Sequence, residues 1–255
     1  MANERLRLDK ALVERGLVVS RERAQAMILA GRVLVNEQKV DKPGAAIAEG
    51  AAVRLLGEEM RYVSRGGLKL EAALEHWGID LTGRACLDVG ASTGGFTDCM
   101  LQHGAVSVLA VDTGYGQIAQ KLRSDARVSL MERTNARLLV PGDAEKGLPA
   151  GISFIAMDVA FISATLVLPP VIACMKFYGE WKGEGVVLIK PQFEAGRENV
   201  GKGGIVRDPA AHQLAIDRVV ECVKGLGGEK LEVIDSPITG MEGNKEFLLH
   251  AVWGR

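Results

Sequence analysis

From residue 85 to residue 253 the chain alternates short apolar runs with segments that have helical spacing. The runs ACLDVG, AVSVLAVD, RVSLM, SFIAMD, GVVLIKP, LEVID and EFLLHAVW are predicted to be strands. Helices are predicted from Gly95, near Gly116, from Ser163 and from Asp208. Strands that alternate with helices form parallel sheets with right-handed crossovers. The pattern therefore predicts an α/β fold with a doubly wound parallel sheet.

The first of these strands runs into a glycine-rich turn, CLDVGASTGGFT at residues 86–97. In a doubly wound sheet the ligand lies beyond the carboxyl ends of the strands, and an acidic residue about 20 positions after the glycines contacts a ribose hydroxyl. Asp112 occupies that position. Asp88, two residues before Gly90, suits a cationic or hydroxylated ligand. The turn is therefore predicted to hold a nucleotide-like cofactor.

Two other interpretations of the turn are weaker. The letters GASTG at residues 90–94 match the G-x-S-x-G turn of α/β-hydrolases, and His212 or His250 could complete a triad, but no HGGG-type segment precedes them. The dinucleotide fingerprint G-x-G-x-x-G fails because Ser92 stands where its second glycine belongs. S-adenosylmethionine, with its ribose, adenine and sulfonium, fits an acidic cleft, a glycine turn and Asp112 together.

The front of the chain is basic although the whole chain has a net charge of -1. Residues 1–69 contain 13 Lys and Arg against 9 Asp and Glu, and the rest of the chain is acidic. This asymmetry predicts a module that binds polyanions, with a solvated surface as the alternative. The candidate contacts are Arg5, Arg7, Arg21, Arg23 and Arg32.

Residues 1–60 also have their own pattern of elements. RLDKALVERGL and the segment after Ser20 predict two short helices, the second ending at Gly31, and RVLVN and AVRLL predict strands. The segment resembles the S4-type RNA-binding domain over about residues 5–57, which implies a small α+β domain whose arginines meet RNA phosphates and shape. Residues 61–67, in the polar stretch GEEMRYVSRGG, are predicted to be a linker to a domain at 68–255.

From Ser64 onward the motifs SRGGLKLEAAL, LDVGASTGGFTD, DVAFIS and LIKPQFEAG resemble the FtsJ-type RNA ribose 2'-O-methyltransferases. With its S4-type front segment, the whole chain is similar to the TlyA family, historically called hemolysins. The resemblance implies a Rossmann-like doubly wound methyltransferase sheet, S-adenosylmethionine as cofactor, and ribosomal RNA within ribosomal subunits as partner, with cytidine as the target. It implies a catalytic set of Lys69, Asp158, Lys190 and Glu246.

Those residue types suit methyl transfer to a ribose hydroxyl. A sulfonium is already an activated leaving group, so no metal is expected, and the difficulty is to remove the proton of the 2'-OH. Lys190 ends an apolar strand, where active-site residues lie, and it accepts a proton only when neutral; a second cation at Lys69 and partial burial favour that form. Asp158 and Glu246 would orient the lysines while opposing the neutral form by charge.

Two further sets of residues complete the predicted sites. The polar, glycine-rich loop 191–209 follows Lys190 and is expected to contact RNA, with an inert surface loop as the alternative. Further candidate RNA contacts are Arg65, Arg197 and Lys202. The candidate cofactor contacts are Asp88, Gly90, Ser92, Thr93, Gly94, Gly95, Phe96, Asp112, Asn135 and Asp158.

Composition argues against several other classes of protein. The four cysteines are widely spaced and lack a C-x-x-C pair, which disfavours metal and disulfide sites. The start of the chain has no apolar signal segment, and its longest apolar run, 151–177, is broken by Asp158 and two prolines. We therefore expect a cytoplasmic protein without a membrane partner. The alternatives are a non-catalytic ribosome-assembly factor that binds RNA and a membrane-lytic protein.

Overall fold

The computed structural model describes residues 5–18, 20–56, 61–240 and 243–254. These residues belong to two compact units, which divide the chain between Met60 and Arg61. No helix within the described ranges is long and apolar enough to cross a membrane.

The first unit is a small α+β domain, as predicted. Its second helix begins after Ser20, whose hydroxyl accepts the N–H of Arg23 at 3.2 Å, and Gly31 follows that helix with φ +64°. Leu12 and Ile28 are fully buried between the helices and a three-stranded sheet of order β3-β2-β5. The elements are β1 (Arg5–Arg7), α1 (Leu8–Glu14), α2 (Arg21–Leu29), β2 (Val33–Val35), β3 (Gln38–Lys39), β4 (Ala46–Ala48) and β5 (Val53–Leu55).

The second unit contains a seven-stranded sheet of order β11-β12-β10-β9-β6-β7-β8. Its strands are β6 (Ala85–Val89), β7 (Ser107–Val111), β8 (Val128–Met131), β9 (Phe154–Met157), β10 (Gly183–Ile189), β11 (Glu229–Asp235) and β12 (Phe247–Trp253). Its helices are α3 (Gly66–Trp77), α4 (Gly95–Gln102), α5 (Gln120–Arg123), α6 (Ala164–Lys176), α7 (Pro191–Glu194) and α8 (Pro209–Gly225). The predicted helix near Gly116 is the short α5, which begins four residues later.

The sheet differs from the fully parallel prediction at one side. Strands β6 to β10 are parallel, but β12 runs antiparallel to both of its neighbours, β10 and β11. Both faces of the sheet are covered: Leu87 packs into the core beneath α6 and α8, whereas its neighbour Cys86 packs into the core with α3 and α4. Burial on both faces is what a doubly wound sheet requires.

The structure corrects the predicted linker. Tyr62 is 2% exposed, and its hydroxyl donates to Glu71 Oε1 at 2.8 Å. The Val63 N–H donates to Asp98 Oδ2 at 2.8 Å, and Gly66 already begins α3. Residues 61–67 therefore belong to the second unit, to which the contacts of Tyr62 and Val63 join them.

The cysteines are free thiols, and burial raises the pKa of both Cys86 and Cys99 to about 12. Cys174 is also buried, and Cys222 is half-buried. Among the described residues, no group of three or more His, Cys, Asp or Glu is arranged to hold a metal ion. The thiols therefore act as small apolar side chains of the core.

Candidate active site

The register of the sheet brings the ends of five strands to one edge. Val89 lies opposite Val111 on one side and Met157 on the other, and Ile189 lies opposite Phe247. Because β12 is antiparallel, its first residue meets the last residue of β10. The residues that adjoin these strand ends therefore lie along one edge: Gly90, Asp112, Asp158, Lys190 and Glu246.

Two lysine–carboxylate pairs occupy this edge. Lys190 Nζ lies 2.5 Å from Asp158 Oδ1, and both side chains are half-buried. Lys69, from α3, donates from Nζ to Glu246 Oε2 at 2.5 Å, and both residues are buried. The structure thus brings together the four residues of the predicted catalytic set as two ion pairs, so that each lysine has a carboxylate beside it.

Glycine is required at two positions of the turn. Gly90 has φ +88°, and a Cβ there would lie 2.3 Å from the carbonyl oxygen of Asp158. Gly94 has φ +94°, and a Cβ there would lie 2.3 Å from Leu122 Cδ1. A side chain at Gly90 would displace backbone, so the close approach of the turn to the Asp158 loop depends on glycine there. At Gly94 the added Cβ meets the end of a side chain, which can move, and the positive φ is the reason for glycine.

Asp112 joins the glycine turn to the loop after β7. Its Oδ2 accepts the N–H of Ser92 at 2.7 Å, and its Oδ1 accepts the N–H of Gly114 at 2.6 Å. A carboxylate oxygen can accept more than one hydrogen bond, so the half-buried side chain can still accept from ligand hydroxyls. A small cavity beside it is lined by Ala91, Ser92, Asp112, Gly114, Gln117 and Ile118, among other residues.

Asp88, a predicted cofactor contact, lies inside the core. It is fully buried, and its Oδ2 accepts the Thr97 hydroxyl at 2.6 Å, whereas Oδ1 has no hydrogen-bond partner among the described residues. Burial raises the pKa of Asp88 to about 7; the hydrogen bond from Thr97 opposes this shift, and the nearby carboxylates of Asp158 and Asp112 add to it. The side chain therefore supports the turn from inside the core.

The remaining predicted cofactor residues fall into three groups. Ser92 and Thr93 are exposed, whereas Gly94 and Gly95 are buried and contribute backbone only. Phe96, in the first turn of α4, is 3% exposed and packs into the core. Asn135 is exposed, and its side chain accepts the N–H of Arg137 at 3.0 Å at the start of a 3-10 turn, Ala136–Leu138.

The predicted RNA contacts differ in whether their basic side chains are paired with a carboxylate. Arg7 and Arg21 both donate to Asp9, which is fully buried, and the hydrogen bond from Arg7 is the main reason why the pKa of Asp9 lies well below its usual range. Arg23 is half-buried. The exposed members that have no ion-pair partner among the described residues are Arg5, Arg32, Arg65, Arg197 and Lys202.

Sequence reasoning missed one buried carboxylate close to the site. Glu194, in the motif KPQFE, is 5% exposed and accepts from Ser163 and Ala164 at the start of α6. The available signal was its place one helical turn after Lys190, in a four-residue helix that begins with Pro191.

Comparison with known proteins agrees with this architecture. The FtsJ-like methyltransferase family matches residues 62–253, and the S4 domain matches residues 6–53. The chain is 48% identical to YqxC of Bacillus subtilis (strain 168), over 99% of this chain and 88% of that protein. It is 41% identical to the 16S/23S rRNA (cytidine-2'-O)-methyltransferase TlyA of Mycobacterium tuberculosis, over 96% of this chain and 89% of that protein.

A solved structure from Streptococcus thermophilus has the same fold over nearly the whole length. It is 43% identical to this chain, covers 99% of it and 90% of its own chain, and has a TM-score of 0.71. The chain therefore belongs to the FtsJ-like methyltransferase family and, with an S4 domain ahead of that domain, to the TlyA family.

Proposed function

We propose that this protein transfers a methyl group from S-adenosylmethionine to the ribose 2'-OH of cytidine in ribosomal RNA. The observation that supports it most is the presence of two lysine–carboxylate pairs at the strand ends, beside the glycine turn. Membership of the FtsJ-like family and 41% identity to a protein named as an rRNA (cytidine-2'-O)-methyltransferase give the reaction and the class of substrate.

The residues at the turn fit S-adenosylmethionine. There is no room for a side chain at position 90, because an added Cβ would lie too close to the Asp158 carbonyl oxygen. The turn therefore presents its backbone to the cleft. The half-buried Asp112 carboxylate retains acceptor capacity, which suits ribose hydroxyls. We assign the cofactor to the Asp112 carboxylate and to the backbone of Gly90, Ser92, Thr93 and Gly94. The cofactor would supply a methyl group on a sulfonium, which needs no further activation.

The remaining chemical task is to remove the proton from the ribose hydroxyl. In this proposal Lys190 accepts it, because an amine within hydrogen-bond reach is a competent general base in its neutral form. Asp158 lies 2.5 Å from the Lys190 nitrogen and orients it.

The second pair supports the first. Lys69 and Glu246 are both buried, so their geometry is fixed more firmly than that of Asp158 and Lys190. A buried cation near a deprotonating hydroxyl stabilises the developing negative charge on oxygen. We therefore assign Lys69 to oxyanion stabilisation and Glu246 to holding Lys69 in place.

Binding of ribosomal subunits is assigned to exposed basic residues. Arg5 and Arg32 of the S4 domain, with Arg65, Arg197 and Lys202 of the second unit, carry charge that solvent and phosphate can reach. Contacts of this kind contribute affinity that falls as salt rises, and they carry little base information.

Mass mapping of ribose methylation tests the proposal. Purified protein is incubated with S-adenosylmethionine and with 30S or 50S subunits that lack the modification, and the rRNA is then digested with alkali. Alkali cleaves only next to a free 2'-OH, so a 2'-O-methylcytidine remains in an undigested dinucleotide. We expect such a dinucleotide with the parent and none with Lys69→Met. Methyl label on a base, or no label on RNA, would overturn the proposal.

A further inference from the structure

The segment after Lys190 contains a buried carboxylate that has no role in the reaction as described so far. Glu194 ends α7, four residues after Lys190. Its Oε1 accepts the N–H of Ala164 at 2.7 Å, and its Oε2 accepts the hydroxyl of Ser163 at 2.5 Å. One side chain therefore joins the segment after β10 to the first turn of α6.

The two joined segments are those that carry the Lys190–Asp158 pair. Asp158 is the first residue after β9, and the loop 158–163 leads from it to α6. Lys190 is the first residue after β10, and α7 leads from it to Glu194. Neither residue lies within a strand, so the position of one relative to the other depends on what holds these two segments together.

Packing holds the loop 158–163 only in part: Val159 and Ile162 are partly buried against the core, and the Phe161 ring lies 5.6 Å from the ring of Phe193 on α7. Phe161 is 92% exposed and has φ +63°, a conformation that non-glycine residues seldom adopt. A strained conformation persists only where surrounding contacts determine it. At the end of this loop Ser163 is fixed twice, since its oxygen donates to Glu194 and also accepts the N–H of Thr165 at 3.1 Å.

Glu194 is itself held firmly. Its carbonyl oxygen accepts from Arg218 Nη1 on α8 at 2.5 Å, and the next residue, Ala195, is fully buried. Burial raises the pKa of Glu194, while the bonds from Ser163 and Ala164 act in the opposite direction. Hydrogen bonds to a carboxylate are short and directional, so this bridge fixes distance as well as contact.

We propose that Glu194 is a positioning residue: its carboxylate bridge holds Asp158 and Lys190 at the separation that proton removal requires. The inference rests on the proposed function, in which Lys190 accepts the proton. A displacement of about 1 Å at the reacting groups can lower the rate about 100-fold. Because Glu194 does not touch the substrate, its loss lowers kcat and leaves the binding of cofactor and RNA unchanged.

The test compares Glu194→Leu and Glu194→Gln with Glu184→Leu, all in the full chain. Glu184 is a half-buried carboxylate near the start of β10, at the opposite end of that strand from Lys190, and it pairs with Arg84 and His250. Its loss therefore destabilises the same sheet without reaching the site. Each variant is measured for kcat and KM on ribosomal subunits, for the Kd of S-adenosylmethionine, and for Tm.

We expect Glu194→Leu to lower kcat by about 100-fold at unchanged KM and Kd. Glu194→Gln retains most of kcat, because its amide oxygen can accept the Ala164 N–H and its NH2 can donate to Ser163 Oγ. Glu184→Leu lowers Tm and leaves kcat unchanged. Equal losses of kcat in Glu194→Leu and Glu184→Leu, or a raised KM at unchanged kcat, would overturn the proposal.

Amide hydrogen exchange supplies a readout that does not depend on activity. The amides of Ala164 and Thr165 are expected to exchange faster in Glu194→Leu than in Glu184→Leu. The comparison is made under conditions in which the two variants have the same free energy of unfolding. Equal exchange in the two variants overturns the bridge even if methylation is normal in the parent. If the parent methylates no RNA while exchange accelerates as expected, the proposed function fails and the bridge itself stands.

Discussion

Lys69 Nζ lies 2.5 Å from Glu246 Oε2, although 177 residues separate the two along the chain. Both residues are buried, at 8% and 3% exposure. Removing one member of a buried ion pair leaves an uncompensated charge in the core, whereas removing both does not. Stability and activity therefore respond differently to single and double substitutions here.

We predict that Lys69→Met or Glu246→Leu alone lowers the free energy of unfolding by about 3–5 kcal/mol. The double variant recovers most of that loss, because two apolar side chains replace two charges. Neither single variant nor the double variant methylates RNA. Urea denaturation measures the stability, and additive losses in the double variant would contradict the pairing.

A substitution at Lys190 can test its positive charge and its proton acceptance separately. Lys190→Arg keeps a cation beside Asp158, but a guanidinium does not lose its proton at usable pH. We expect methylation to fall by about 10²–10⁴-fold, the range for loss of a general base, at unchanged affinity for cofactor and RNA. Parental turnover in Lys190→Arg would leave Lys190 as an electrostatic contact only.

Asp112 and Ser92 form a matched pair for testing the cofactor site. Asp112→Ala removes the carboxylate, and calorimetry should show binding of S-adenosylmethionine weakened by at least about tenfold, as for a lost charge-assisted bond. Ser92→Ala is the control, since Ser92 contacts Asp112 through its backbone N–H. It retains affinity and activity. Ester hydrolysis that disappeared in Ser92→Ala would instead support the hydrolase interpretation of the turn.

Gly90 is predicted to be intolerant of a side chain for a reason other than its φ. Gly90→Ala brings a Cβ within 2.3 Å of the Asp158 carbonyl and should displace the loop that carries the Asp158 carboxylate. Gly151→Ala is the control: its φ is +89°, and no atom lies within 4 Å of an added Cβ. We expect both variants to lose stability and only Gly90→Ala to lose methylation. Equal methylation by Gly90→Ala and Gly151→Ala would show that the structure accommodates the added Cβ at position 90 without moving the Asp158 carboxylate.

Asp88 gives the stability of the second unit a pH dependence. The pKa of Asp88 is raised to about 7 by burial, against about 3.9 in an unfolded chain. Its protonated form is favoured in the fold, so its contribution is complete below pH 4 and is lost as pH rises towards 7. In Asp88→Asn this decline should disappear, because an amide does not titrate in this range, while its oxygen can still accept the Thr97 hydroxyl. Denaturant titrations at pH 5 and pH 8 measure it, and an unchanged decline would point to another group.

Local sequence signals predicted the helices and strands well where capping residues mark their ends. Two helices were predicted to begin from Ser163 and Asp208, and these residues cap α6 and α8 by accepting the N–H groups of Thr165 and Ala210. The Asp112 position was also predictable, because it depends only on the order of two neighbouring strands and on one loop.

The pairing of Lys69 with Glu246 and the burial of Asp88 were not predictable in this way. The pairing of Lys69 with Glu246 depends on β12 lying next to β10, and local periodicity in the sequence does not indicate the order of strands in a sheet. The burial of Asp88 was not predictable because a strand that is covered on both faces is apolar throughout. Its sequence therefore does not show which side chains lie in the core and which lie at the cleft. The role of Glu194 was not predicted because its hydrogen-bond partners, Ser163 and Ala164, lie in a different segment of the chain.

The position of β12 between β10 and β11 has a consequence for synthesis on the ribosome. Of the seven strands in the sheet, β12 is translated last, yet it lies in the interior and brings Glu246 with it. Until residues 246–253 leave the exit tunnel, β10 and β11 each present an unpaired edge, and such edges attract other chains. A nascent chain is thus exposed to aggregation, and until β12 has emerged it lacks Glu246, one member of the predicted catalytic set.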